Sequence, residues 1–271
     1  MFMIRLFYAL FALLALTSCA DTYNIQGTSS VPTLDGRMLF LRAYDNSDLK
    51  AIDSCDIVHG EFNFCGTLDS AKMALLFMDD EVIMPIVLES GNIVINIDNT
   101  QQKVSGTPLN EKLFGFLEKY KQLENEYNEL GHLQSQAIMD GKDLNAVNMH
   151  LAEKAGQISQ REDKLVTSFI VDNFDNVLGP GVFFMITVNH RYPELSPWVE
   201  DIMSKATDKF KSDPYVSDYY QKAQQNEAIM NGTATPGSVS APSSDVPTPN
   251  ELAAPGVLGG DTIADNGGNA D

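Results

Sequence analysis

Basic residues are scarce in this chain: 18 Lys and Arg stand against 37 Asp and Glu, for a formal net charge of −19 at pH 7. That balance argues against nucleic acid as a partner and against electrostatic adhesion to anionic lipid. Histidine is sparse as well. His59, His132, His150 and His190 are the four present, and none has a second His, Cys or acid at recognisable metal-ligand spacing. No metal or cofactor is expected. No Ser/His/Asp arrangement, phosphate loop or dinucleotide fingerprint stands out, which turns the reading away from an enzyme. A hydrolase with scattered catalytic residues leaves no such signature and stays as a second alternative. Three cysteines are present, Cys19, Cys55 and Cys65. The apolar run over residues 6–16 is shorter than the roughly 20 residues a spanning helix needs.

That short run follows a single positive charge at Arg5 and leads into Leu16-Thr17-Ser18-Cys19. A charged start, an apolar stretch of roughly 7–15 residues and a small-residue cleavage site make a secretory signal. The four residues at its end resemble the lipobox of bacterial lipoprotein signals. The resemblance implies cleavage before Cys19 and a diacylglyceryl group on its thiol, so that lipid attaches the chain to a membrane without a transmembrane helix. Removing residues 1–18 from 271 leaves 253, with 17 basic and 37 acidic residues and a net charge of −20. The next residues, Ala20-Asp21-Thr22, lack an Asp directly after the cysteine. By resemblance to enteric sorting rules, the outer membrane of the cell envelope is the expected address; periplasmic face or cell surface stays open.

Residues 23–107 alternate and turn at short intervals, as antiparallel β structure does. Strands are expected over 23–27, 38–44, 50–58, 62–68, 73–79, 82–88, 92–98 and 103–106, separated by turn pairs such as Asp35-Gly36, His59-Gly60 and Ser90-Gly91. This predicts a β sandwich or a partly open barrel. Pro85 lacks an amide donor, so its strand belongs at an edge or a bulge. Asp79-Asp80-Glu81 reads as an acidic hairpin turn in preference to a cation site.

At Pro108 the period changes. Leu113, Phe116, Tyr120, Leu123, Tyr127 and Leu130 follow spacings of three and four, one face of a helix. Asp140-Gly141 stops it, Asp143 caps a second helix, and Leu144, Val147, Leu151, Ala155, Ile158, Leu165 and Phe169 continue the pattern. The pair predicts an antiparallel hairpin with arms about 45 Å long at 1.5 Å per residue. That exceeds the width of the β domain, so later helices or a partner must pack against it. Those helices are expected over 181–189, entered through Leu178-Gly179-Pro180, over 198–211 behind a Ser196 cap, and over 214–230. Trp198, Ile202 and Phe210 should cap the hairpin as core. The overall class is thus α+β. Residues 19–22 make a lipidated linker, 23–107 the β domain and 108–230 the helical domain. A Gly-, Pro- and Ser-rich tail over 231–271 is expected to be disordered.

Several of these segments carry a further likeness. Tyr23-Asn24-Ile25-Gln26-Gly27, Asp35-Gly36 before Met38-Leu39-Phe40-Leu41, His59-Gly60-Glu61-Phe62 with Gly66, Ile86-Val87-Leu88-Glu89-Ser90-Gly91 and Val104-Ser105-Gly106-Thr107 occur in this order. Together they resemble the domain of unknown function that precedes TlpA-like thiol-disulfide oxidoreductase domains in Bacteroidota lipoproteins. The resemblance spans 23–117, and Asp175-Asn176-Val177-Leu178-Gly179 looks like those proteins' linker. It implies a thioredoxin-like domain with a Cys-x-x-Cys pair. Here the chain passes into the tail instead, so no catalytic residue carries over.

Cys55 and Cys65 flank the His59-Gly60 turn, and export makes a disulfide between them conceivable. A two-residue hairpin loop sets Val58 against Glu61, Ile57 against Phe62 and Cys55 against Phe64. Cys65 then faces Ser54 and points to the opposite side, so unpaired thiols are the leading reading and a disulfide needs a one-residue bulge. Redox work by the two thiols is the third possibility. The function expected is a non-catalytic envelope lipoprotein that binds or scaffolds an unknown ligand or envelope protein. An accessory of an envelope thiol-disulfide pathway is the alternative.

Overall fold

The computed structural model describes residues 21–45, 48–99, 101–190 and 192–234. The expected signal peptide, the expected lipidation position Cys19 and the part of the expected tail from 235 onward lie outside them. Among the described residues eight strands form: β1 (Asp21–Ser29), β2 (Met38–Asp45), β3 (Asp48–Asp56), β4 (Glu61–Leu68), β5 (Lys72–Met78), β6 (Glu81–Leu88), β7 (Gly91–Ile97) and β8 (Gln102–Ser105). They divide into two four-stranded sheets, β4-β1-β7-β8 and β3-β2-β5-β6, which settles the architecture as a sandwich. Strand β1 starts at Asp21, so part of the expected linker is sheet.

Alternation drives the pairing of the sheets. Tyr23, Ile25, Phe62, Phe64, Ile93 and Ile95 from one sheet meet Leu39, Leu41, Leu76, Met84 and Ile86 from the other, all buried in a single cluster. Across the β1–β4 pair, Gly27 lies opposite Phe62 and Gly66 opposite Tyr23. Each ring covers its glycine so closely that an added Cβ would sit 2.0 Å from the Phe62 ring or 2.7 Å from the Tyr23 ring. Pro85 does lie on an edge strand, β6, beside a register shift at Leu76/Phe77.

The expected β3–β4 hairpin is corrected. Val58 and Glu61 do bridge across His59-Gly60, whose φ values of 54° and 77° suit a tight turn. Pairing then stops. Asp35-Gly36-Arg37 captures Ile57 instead, with Gly36 N donating to Ile57 O and Ile57 N to Arg37 O. β3 continues in one sheet while β4 joins β1 in the other. Ile57, just past β3, is buried in the inter-sheet core with Phe62 and Phe64 of β4, and burial of that core sets where the local hairpin gives way.

Among the described residues six α-helices follow: α1 (Pro108–Met139), α2 (Leu144–Val171), α3 (Leu178–Thr187), α4 (Pro197–Lys205), α5 (Asp208–Lys211) and α6 (Pro214–Met230). Asp143 and Ser196 cap α2 and α4 as expected, each side chain accepting a backbone N–H. The helix expected over 198–211 is two. Ala206 turns extended at ψ 139°, and Thr207 starts a new cap by accepting from Phe210 N. Helix α3 also begins earlier than expected, at Leu178. Phe183 is the hub of the helical core, stacked on Trp198 and edge-on to Phe210 and Tyr219. Met73 and Val87 belong to that core too, so the helices cover part of the outer face of the β3-β2-β5-β6 sheet.

Candidate interaction site on the helical arm

The root of α1 is fastened into the sandwich by a buried polar knot. Asn110 is fully buried; its Oδ1 accepts from Val87 N at 2.9 Å, and its Nδ2 donates to Val87 O at 2.7 Å. Both peptide groups of Val87 that point away from β5 are thereby satisfied, as a neighbouring strand would satisfy them. One carboxamide does the work of a strand at this free edge. The Asn110 Nδ2 also donates to Thr107 Oγ1 at 2.9 Å, while Glu89 Oε1 accepts from Leu109 N and Asn110 N at 2.8 and 2.9 Å. A carboxylate at the first turn answers the orphan amides and the positive end of the helix. The direction in which α1 leaves the sandwich is set here.

From this root α1 and α2 run out as a two-helix arm. At 1.5 Å per residue the 32 residues of α1 extend about 48 Å. Phe116 packs against Phe169 and Tyr120 with ring centroids 4.4 and 5.9 Å apart. Burial, with Glu162 adding to it, pushes the Tyr120 hydroxyl up to about 12. Beyond Leu123 the core thins abruptly. Between Leu123 and Val166 only Ala137 and Ile158 of the two helices are buried. Tyr127 is 56% exposed, Met149 75% and Met139 87%.

A groove of about 810 Å³ runs along this distal part. Its floor is Leu130, Leu133 and Ile158. The α1 wall carries Glu126 and Glu129; the α2 wall carries Lys154, Arg161 and Lys164. Arg161 and Glu126 form an ion pair across it. Both walls follow i, i+3, i+4, i+7 spacing, at 126, 129, 130 and 133 and at 154, 157, 158 and 161, so each helix offers one face to the groove. The expected apolar face of α1 therefore divides in two. Its first half, Leu113, Phe116 and Leu123, is domain core; its second half, Tyr127 and Leu130, borders open surface.

Residues 23–113 match the family described as Domain of unknown function (DUF4369). No curated protein matches the chain. The match begins where the resemblance did and ends four residues before it. It runs past β8 into the first turns of α1, the segment that Glu89 and Asn110 bind to the sandwich. Phe114, just after it, packs in the inter-sheet core. The matched segment thus includes the root of the arm, and the groove lies outside it.

The remaining sequence-singled residues fall elsewhere. Cys19 is outside the described residues. Cys55 and Cys65 are free thiols, paired in register with Leu39 of β2 and Asn24 of β1 respectively. Cys55 is half-buried against the core, and burial pushes its thiol up to about 11 despite the Asn63 amide. Cys65 is exposed on the outer face of the sandwich. Among the described residues no group of three or more His, Cys, Asp or Glu could hold a metal ion, and no helix is long and apolar enough to cross a membrane. Asp79 and Asp80 form the β5–β6 turn and pair with Arg37 and Arg42. Sequence reasoning missed the knot and the groove walls. The groove was detectable as a run without Lys or Arg from 122 to 141, facing a helix that supplies three.

Proposed function

We propose that this chain is a non-catalytic scaffold of a bacterial cell envelope, tethered through lipid on Cys19, with the DUF4369 sandwich as base and the helical arm as docking surface. The observation that carries the reading is the arm. A two-helix projection with exposed apolar residues and charged walls costs conformational entropy that its own thin core does little to offset. Such a surface stabilises the chain most when something covers it. The anchor rests on Leu16 to Cys19, which have the order of a lipobox. Lipid supplies the attachment that a chain of net charge −19 does not obtain from anionic headgroups.

The test combines the two ends of the reading. A photo-crosslinking residue at Leu133, in the groove, should give a discrete adduct in membranes, whereas one at Thr67, on the open sheet face, should not. Cys19→Ala should abolish lipid labelling and move the chain to the soluble fraction. Equal labelling at both sites, or retention of Cys19→Ala on the membrane, would remove the support for this function.

A further inference from the structure

We propose that the groove is filled by the same groove of a second copy of this chain, the two arms stacking into a four-helix bundle. This names the partner of the docking surface and rests on the scaffold reading above. The argument is the arrangement of charge. Among the groove residues, α1 contributes Glu126 and Glu129 and no base; α2 contributes Lys154, Arg161 and Lys164 and no acid. A two-fold axis parallel to the arms lays the acidic wall of each copy over the basic wall of the other. An axis across the arms would instead set acid on acid and base on base. The Glu126–Arg161 ion pair places those residues at one height along the arm. Since a parallel axis preserves height, Glu126 and Glu129 of one copy come level with the cations of the other. Leu130, Leu133 and Ile158 of both copies then close a shared core of the kind that joins four-helix bundles.

The same axis carries both sandwiches at one end of the bundle, as two copies tethered in one membrane require. An occupant of a single charge sign fits less well. Residues 235–271 carry five acids and no Lys or Arg. That segment would answer the basic wall and be repelled by the acidic one.

The test is a charge exchange on the detergent-solubilised full chain, followed by sedimentation. The parent should sediment as two copies. Glu129→Lys sets a base against the partner's basic wall, and the double variant Lys154→Glu, Lys164→Glu sets acid against acid. Each should weaken self-association at least about tenfold, as like-charge juxtaposition does. Both leave the Glu126–Arg161 pair in place, and circular dichroism should report unchanged helix content. Mixed together, the two variants should recover a two-copy species, because each acidic wall again meets a basic one. A one-copy parent, variants that associate like the parent, or a mixture that does not recover would overturn the proposal. A one-copy parent that still gives a Leu133 adduct with a different protein would overturn the second copy and leave the scaffold standing; no adduct of any kind would remove both.

Discussion

Replacing Asn110 with alanine should be among the most damaging single changes outside the two apolar cores. The substitution removes the acceptor for Val87 N and the donor for Val87 O, both on an edge strand and both buried under α1. A buried backbone group left without a partner costs about 1–3 kcal/mol. Two such groups, together with the bonds lost to Glu89 and Thr107, give an expected loss of about 3–5 kcal/mol. With a urea slope of about 2 kcal/mol per molar, the unfolding midpoint should fall by about 1.5–2.5 M. Asn110→Asp should also be costly, because it keeps an acceptor for Val87 N, loses the donor to Val87 O and places a second carboxylate beside Glu89. As a control, Asn148→Ala on the exposed arm should stay within about 0.5 kcal/mol of the parent. A loss below about 1 kcal/mol for Asn110→Ala would refute the view that its carboxamide replaces a strand at this edge.

Other consequences are smaller and separate. Burial raises the Asp213 pKa, partly opposed by the amides of Val216 and Tyr215 that it caps. With the folded value above the unfolded one, the native state holds more proton between the two, so this residue's contribution to stability falls as pH rises through that window. Asp213→Asn should therefore match or exceed the parent at pH 7 while Asp213→Ala loses about 1 kcal/mol of capping, measured by urea unfolding at pH 5 and 7. For the thiols, a pKa of about 11 leaves Cys55 about one part in a thousand ionised at pH 8. Iodoacetamide followed by peptide mass spectrometry should label exposed Cys65 well before Cys55; equal rates, or recovery of a Cys55–Cys65 disulfide from cells, would reopen the redox alternative. Gly66→Ala should cost about 1–3 kcal/mol in thermal or urea unfolding, because the new Cβ displaces the Tyr23 ring from the core.

Much of the sandwich was legible because strands such as β4 and β7 alternate buried and exposed positions, and turn residues separate the apolar runs. Periodicity does not reveal which sheet a strand enters. The His59-Gly60 turn announced a hairpin, yet β3 and β4 part after one bridge and enter different sheets. Caps at Asp143 and Ser196 were readable from residue type, whereas the break at Ala206-Thr207 was hidden by a helical pattern that continues through it. The knot was invisible for another reason. Glu89 and Asn110 are 21 residues apart, and neither residue type at its position signals burial. Tyr127 and Leu130 had the spacing of core residues, but spacing alone cannot say whether a core is completed by the same chain.

Hydrogen exchange on the arm tests the docking surface most directly. Residues 124–139 and 144–160 should exchange at least about tenfold more slowly in the membrane-bound protein than in dilute Cys19→Ala protein, where a two-helix arm with so thin a core opens readily. Equal exchange in the two states, with the sandwich protected in both, would contradict the account and leave the arm a projection that nothing covers.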